Sequence, residues 1–364
     1  MYTLRVKAGK INIRNSPVVD TTYKNWLGDM ALGETHAAES LVTGPNGQTF
    51  WKDSFNRFSV TEGSAVVSHT DPTTGATALG VTDYLNQRFD GTNLKSPVDY
   101  SALLNVPSSL KANKGKGVTV AIMDFSVPDG LSIKNGVKRY RKDPLPTLDF
   151  HGAFVAGLIA GNKDILGVSQ EVQILDLPMY DESGTPSLEM VNAGLDYLKQ
   201  IEMPVVLNIS QDLQVLDTSG LPARLSALPH VSIVAAGGLD NLTLSGGKMP
   251  YPGSSGLAIS IGALSDALIN ATPIPSFSRF LDFVFYNFDF VSFNPPTGFQ
   301  TQFARAHGES FATAVVSGMC ALLLSNAGSN MTQKDLKTAL TGLAAPFTDK
   351  TSFSFLNPII PPQK

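Results

Sequence analysis

Three residues of acidic, basic and nucleophilic type stand where the surrounding sequence would aim them into one crevice. Asp124 directly follows Val118-Thr119-Val120-Ala121-Ile122-Met123. A continuous apolar run of that kind is how a buried parallel strand reads, so the carboxylate falls at the carboxyl edge of a sheet. His151 opens a stretch with small residues at Gly152, Ala153, Ala156, Gly157, Ala160 and Gly161. Such a stretch packs closely as an interior helix, with the imidazole at the mouth of the sheet. Ser310 precedes a segment, Val315 to Leu324, that is apolar nearly all round, as a buried helix is. A serine at that helix start feels the positive end of the dipole, and free backbone N–H groups there can hold an oxyanion. Each residue alone has a plainer reading: a turn or cap aspartate, a helix-terminal histidine, an N-cap serine. Together they form a set, because a serine nucleophile needs a base and the base needs an orienting carboxylate.

Between and around these residues the pattern predicts alternating strands and helices. Leu188 to Gln200 has helical period, and strands are expected at Pro204 to Leu207, Val231 to Ala236 and Leu257 to Ala263. That alternation argues for an α/β domain with a central parallel sheet flanked by helices, spanning residues 96–364. Functional residues of such sheets gather at the carboxyl ends of strands. Residues 1–60 read differently. Short alternating pieces (LRVKA, KINIR, TFWKD) are broken by the turn residues Asn15-Ser16-Pro17 and Gly44-Pro45-Asn46-Gly47, which predicts a small all-β barrel. Residues 61–95, rich in Ser, Thr, Gly and Asp, read as a linker.

Composition excludes several classes. The 364 residues carry 27 basic and 31 acidic side chains, a net charge of −4, so no broad nucleic-acid footprint is expected. One cysteine, Cys320, leaves no intrachain disulfide framework and no cysteine cage for zinc or iron–sulfur. No apolar run is long enough to span a bilayer. The first residues lack a secretory h-region, so export by a signal peptide is not expected, and a cytoplasmic, phage-particle or injected-effector location is. The five histidines show no metal-ligand spacing, and no metal or cofactor is expected. The aromatic run Phe280 to Phe293 reads either as a hairpin covering the core or as a docking patch.

The three reactive residues lie in motifs that resemble the subtilisin-like serine peptidases. Gly115-Lys116-Gly117-Val118-Thr119-Val120-Ala121-Ile122-Met123-Asp124 is similar to GKGVTVAVIDTG, and the His151 to Gly161 stretch to HGTHVAGIIAG. Gly308-Glu309-Ser310-Phe311-Ala312-Thr313 is similar to GTSMAS. Intervening pieces agree: Ile165 to Ser169 with GVLGVAP, Val205 to Ser210 with VINMSLG, Val231 to Gly237 with VVVAAAGN, and Tyr251-Pro252-Gly253 with the YPA that follows. The resemblance implies that Ser310 attacks a scissile carbonyl, His151 moves the proton and Asp124 holds the imidazole tautomer. It implies a polypeptide substrate bound as an added strand between Leu177, Pro178 and onward to Glu182 on one side and Ser210, Gln211 and Asp212 on the other. Ala235, Ala236 and Gly237 would line the main specificity pocket. Structural calcium is common in that family; no Asp-rich loop supports it here. In the barrel, Ile11-Asn12-Ile13-Arg14-Asn15-Ser16-Pro17 resembles the LNVRSGP opening of bacterial SH3-like domains, with Gly28, Gly33 and Trp51-Lys52 fitting the remainder. Such modules often bind cell-wall or proline-rich peptide ligands, so a cell-envelope or particle ligand is expected; the plainer reading is a packing or targeting appendage.

Departures from the family pattern matter as much. Its oxyanion asparagine is replaced by Gly238, and Asn241 would have to fold back to substitute; its plainer role is a turn residue. Phe125-Ser126 follows the aspartate, Phe154 stands where the family has a second histidine, Glu309 precedes the nucleophile, and Ala314 replaces a proline. A serine endopeptidase working through an acyl-enzyme, slow or narrowly specific, is the reading that keeps all three reactive residues. Two rivals remain. One is a catalytically silent scaffold that binds a peptide strand without cutting it. The other places the function in the N-terminal barrel.

Overall fold

The computed structural model describes strand segments between residues 2 and 79, then residues 81–104, 106–142, 145, 149–238, 250–264, 281–286, 289–295, 302–327, 331–346 and 354–356. Two compact units emerge, one containing residues 1–87 and one containing residues 88–263 and 276–358.

The described elements of the first unit are strands, up to a helix at its end. They are β1 (Tyr2–Val6), β2 (Lys10–Arg14), β3 (Trp26–Ala31), β4 (Thr35–Ala38), β5 (Ser40–Thr43), β6 (Thr49–Lys52), β7 (Phe58–Val60), β8 (Ser64–Thr70) and β9 (Thr77–Leu79). They form a sheet of order β4-β1-β8-β9 and another of order β3-β2-β7-β6-β5. Every pairing given for them is antiparallel. The expected linker at 61–95 therefore needs correction: it holds β8, β9 and α1 (Val81–Arg88), and β8 pairs directly with β1. The polar composition misleads because β-branched Val66, Val67 and Thr70 carry strand preference among the serines. The second unit also begins earlier than expected. Phe89 bridges Leu94, and the Arg88 guanidinium donates to the Pro97 carbonyl.

The second unit runs through β10 (Val98–Asp99), α2 (Tyr100–Leu103), α3 (Ser108–Lys111), β11 (Thr119–Asp124), β12 (Val137–Arg139), α4 (His151–Ala160), β13 (Ile165–Leu166) and β14 (Gln173–Pro178). It continues with α5 (Leu188–Leu198), β15 (Val205–Ile209), α6 (Leu221–Ser226), β16 (Val231–Ala236), β17 (Ile259–Leu264), β18 (Phe283–Tyr286), β19 (Phe290–Phe293) and β20 (Phe303–Ala306). The long α7 (Glu309–Ala327), then α8 (Gln333–Leu343), β21 (Ala345–Pro346) and β22 (Ser354–Leu356) complete it. Its main sheet has the order β12-β14-β11-β15-β16-β17-β18-β22-β21. The pairings from β12 through β17 are parallel, as the apolar strands β11, β15 and β16, buried at every position, required. From β11 the chain goes first to β12 and β14 on one side and returns to β15 on the other. The carboxyl end of β11 is thus a switch point of the sheet, where a crevice opens.

Helices cover the sheet. On one face α5 and α6 bury Val191, Leu195, Leu198, Leu221 and Leu225 against Met123, Leu177, Leu207 and Ile233. On the other lie α4 and α7, both buried along nearly their full length. The expectation that no apolar run could span a bilayer needs correction: residues 309–327 are apolar and long enough to do so, but most of the segment is buried within the unit, as a core helix is. Close packing there depends on missing side chains. A Cβ on Gly157 would come within 2.2 Å of Ser292 Oγ, and one on Gly318 within 2.7 Å of Val168 Cβ. Among the described residues the phenylalanine run is core, as the hairpin alternative expects, while Phe280 and Phe288 lie outside the described residues. Phe283, Phe285, Phe290 and Phe293 are buried, β18 joins the main sheet, and β19 forms a hairpin with β20.

Candidate active site

Asp124 ends β11, fully buried, with Pro178 opposite it at the end of β14. Its Oδ1 accepts the Phe125 N–H at 2.7 Å. His151 is the first residue of α4, and its backbone N–H donates to Asp149 Oδ1 at 2.8 Å, which satisfies one open donor of the helix start. The ring reaches back so that Nδ1 lies 2.8 Å from both carboxylate oxygens of Asp124. Phe311 packs against the ring, with centroids 5.3 Å apart, and also on Phe154 at 4.4 Å. Phe154, out of pattern as a sequence residue, is therefore part of the wall behind the imidazole. Burial is the largest influence on His151 and works to lower its pKa. The charge and hydrogen bond of Asp124, with the charge of Asp149, together outweigh burial and hold it above the ordinary histidine value.

Ser310 stands in the first turn of α7. Its Oγ donates to the Ser210 carbonyl at 2.8 Å, and Ser210 Oγ donates in return to the Ser310 carbonyl at 2.8 Å. The same network reaches deeper, from Asn208 Nδ2 to Ser210 Oγ at 3.0 Å and from Ser317 Oγ to Asn208 Oδ1 at 2.9 Å. The end of β15 and the start of α7 are thereby fixed to each other. Among the described residues no hydrogen bond joins Ser310 Oγ to His151.

Other expected residues fall in several places. Gln211 lies on the Asp124–His151 pair, its Nε2 3.1 Å from Asp124 Oδ1 and 3.1 Å from His151 Nδ1. Asp212 caps the short turn at 213–215 and also accepts the Tyr251 N–H, so its carboxylate is committed to local structure. Leu177 turns its side chain inward, which leaves open the backbone pairing expected of that segment. Its side chain is buried in the core beneath the sheet, within contact of Gly194 on α5, because side chains alternate along a strand and position 177 points away from the crevice. Pro178 and Gly237 are buried and Ala236 nearly so. Gly238 has φ +86°, and a Cβ there would meet Pro250 Cδ at 2.0 Å. Its N–H donates to Glu309 Oε2 at 2.8 Å, and Glu309 is buried beside Ser310. Asn241 lies outside the described residues. Tyr180 lies within the expected 177–182 segment, but its contacts were not foreseen: its ring stacks on Phe125 at 3.8 Å and its hydroxyl donates to Gln211 Oε1 at 3.1 Å. No one-dimensional signal pairs those rings; they meet because β11 and β14 end side by side.

Comparison with known proteins settles the family. Residues 115–356 match the sequence profile of the Subtilase family. The chain belongs to that family. It is 26% identical to the minor extracellular protease Epr of Bacillus subtilis over 64% of this chain and 36% of that protein. It is 32% identical to Mycosin-3 of Mycobacterium tuberculosis over 24% of this chain and 20% of that protein. The chain thus spans about a third or less of the length of these curated relatives. A crystal structure of a cold adapted subtilisin-like serine proteinase superposes with a TM-score of 0.51 at 20% identity, over 68% of this chain and 90% of that one. At that identity the likeness establishes the fold: the parallel sheet with its flanking helices is the subtilase fold.

Proposed function

We propose that the second unit is a serine endopeptidase acting on extended polypeptide, with Asp124, His151 and Ser310 as its triad. The observation that carries this reading is the buried Asp124 carboxylate on His151 Nδ1 at 2.8 Å; a serine in the first turn of the buried helix α7 supports it. The carboxylate keeps the proton on Nδ1, which leaves Nε2 free to act as base. Ser310 Oγ first leaves the Ser210 carbonyl and turns to His151. It then attacks the scissile carbonyl carbon while its proton passes to Nε2. Collapse of the tetrahedral adduct breaks the C–N bond, and the imidazolium gives its proton to the leaving amine. Water, deprotonated by the same imidazole, then attacks the acyl-enzyme and releases Ser310.

Gly238 takes the place of the family's oxyanion asparagine in this reading. Losing that side-chain donor costs about 10²–10³ in rate, or ~3–4 kcal/mol. Hydrogen bonds from backbone N–H groups at the start of α7 supply what stabilisation remains. Slow turnover or narrow specificity follows. The Glu309 carboxylate next to the nucleophile favours a second reading, a silent scaffold that binds a peptide strand, because an anion there opposes a developing oxyanion. A fluorophosphonate probe separates the two. Labelling of the wild-type chain and not of Ser310→Ala supports the protease; absence of labelling in folded protein leaves the scaffold.

For the first unit we propose the role its SH3-like resemblance implies, attachment to a cell-wall or particle ligand. Cosedimentation of the full chain with purified cell wall tests it, and failure to cosediment at low salt removes that class of ligand.

A further inference from the structure

We propose that Gln211 is a positioning residue of the Asp124–His151 pair, itself set in place by the stacked rings of Phe125 and Tyr180. The inference rests on the protease reading of the same site and assigns Gln211 a role other than lining a substrate groove.

Asp124 Oδ1 accepts from three directions: the Phe125 N–H at 2.7 Å, the Gln211 amide at 3.1 Å and His151 Nδ1 at 2.8 Å. Oδ2 faces His151, also at 2.8 Å. A carboxylate shielded completely from water depends on such donors to offset its lost hydration and to keep one orientation. The backbone donor comes with the strand. Among the described residues the Gln211 amide is the side-chain donor besides the imidazole, and it lies at the same distance, 3.1 Å, from His151 Nδ1. When Nδ1 carries its proton toward Asp124 it has no lone pair for a second donor, so the amide hydrogen bond goes to the carboxylate. The amide then does two things. It shares the negative charge that draws a proton to the ring, and it sets its own N–H dipole against a ring that would become positive. Both act to keep the imidazole neutral, the form a general base needs.

An amide can flip, so it must be told which way to face. Tyr180 does this by donating its hydroxyl to Gln211 Oε1 at 3.1 Å, which leaves Nε2 toward Asp124. Burial first, and then the charges of Asp124, Asp149 and Asp212, push the phenol up to about 12, so Tyr180 remains a donor at any working pH. Its ring lies flat on Phe125, 3.8 Å between centroids and 4° between planes. Since Phe125 follows Asp124, the stack fixes the phenol relative to the carboxylate. The groups that bear on the ring's charge are Asp124 from β11, Asp149 ahead of α4, and Tyr180 and Asp212 behind Gln211; on the α7 side Glu309 has its carboxylate on the Gly238 N–H.

The test reads the His151 titration by NMR in a Ser310→Ala background, so it does not depend on nucleophile chemistry. Gln211→Leu is expected to raise the midpoint by about one to two units, the scale of one hydrogen bond to a charged group. Tyr180→Phe is expected to raise it by less, because the amide loses its anchor but not its donors. With Ser310 present, Gln211→Leu moves the acid limb of fluorophosphonate labelling to higher pH and lowers the plateau rate about tenfold, leaving probe affinity unchanged. If Gln211 only lined a substrate groove, the affinity would change and the His151 midpoint would stay put, and that pattern overturns the inference. A failure of Gln211→Leu to fold leaves Tyr180→Phe to decide, with an unmoved midpoint counting against it. Absence of labelling in every variant would sink the protease reading and leave the titration result standing.

Discussion

Gly152 offers a strong test of how His151 is placed. It is the second residue of α4, and a Cβ there would sit 2.2 Å from the Phe125 carbonyl oxygen and 3.0 Å from its carbon. Carbon and oxygen settle at about 3.3 Å or more, so Gly152→Ala must open the gap by about 1 Å. The obstacle is backbone and cannot swing aside. It also belongs to the residue after Asp124, so the opening acts directly on the 2.8 Å hydrogen bond of the pair and stretches it beyond the usual range. Overpacking costs ~1–3 kcal/mol, partly offset by the better helix propensity of alanine, up to ~1 kcal/mol. Urea unfolding should therefore show a net loss of about 1–2 kcal/mol. The sign of its pH dependence follows from His151. Its folded pKa is raised above the ordinary 6.5, so its contribution to stability is present below that value and is lost as pH rises through the folded pKa. Gly152→Ala removes that contribution, and the loss of stability is larger at pH ~5 than at pH ~8. Burial, no longer opposed by a close Asp124, lowers the His151 midpoint, and labelling falls about 10²-fold. Gly194→Ala is the control. The nearest atoms to its Cβ belong to the Leu177 side chain at 3.6 Å, so it should stabilise by ~0.5–1 kcal/mol and leave the site alone. A Gly152→Ala protein with wild-type titration and labelling would refute the placement.

Other outcomes follow from single groups. Asp124→Asn should cut fluorophosphonate labelling by about 10³–10⁴ and lower the His151 midpoint, because burial then acts without the opposing charge. Asp176 is buried on β14, and burial pushes its pKa up to about 6 against the hydrogen bonds of Val127 and Ser126 and the charge of Arg139. Its contribution to stability is therefore present below about 4 and lost as pH rises through about 6, a change of ~3 kcal/mol across that window. Asp176→Asn should flatten that part of the stability curve in urea titrations taken between pH ~4 and ~7.5. Cys320 is fully buried in α7 and its thiol is pushed up to about 12 by burial. A disulfide reagent should modify it only on unfolding, and rapid modification of the native protein would contradict the placement of α7.

The sequence carried the second unit clearly because its signals are periodic and local. A strand buried on both faces, such as β11, has no polar alternation to confuse it, and the glycines of α4 announce a helix that must pack tightly. The first unit was harder. The run Ser64 to Thr70 looks like a linker by composition, and only its pairing with β1 across the sheet makes it a strand. Pairing is a long-range property, and no residue count along 61–95 records it. Side-chain facing is likewise a property of the strand in its sheet: alternation turns the Leu177 side chain to the core.

The site divides along the same line. The places of Asp124, His151 and Ser310 in the fold were legible because each sits at an element boundary that the sequence marks. Gln211, Tyr180 and Phe125 come from three different strand ends and become one unit only when β14, β11 and β15 stand side by side. Their hydrogen bonds of 3.1 Å and their ring stack at 3.8 Å place polar and aromatic side chains directly on the reactive pair. The Gly238–Glu309 hydrogen bond adds to this. Pro250 leaves no room for a side chain at Gly238, so restoring the family's asparagine by Gly238→Asn alone should destabilise the fold without restoring rate. If the protease reading holds, slow chemistry would then not be one missing donor on an otherwise standard frame: the Glu309 contact at Gly238 and the Gln211 contact on the Asp124–His151 pair are separate, and changes at the two should alter rate and pH dependence separately.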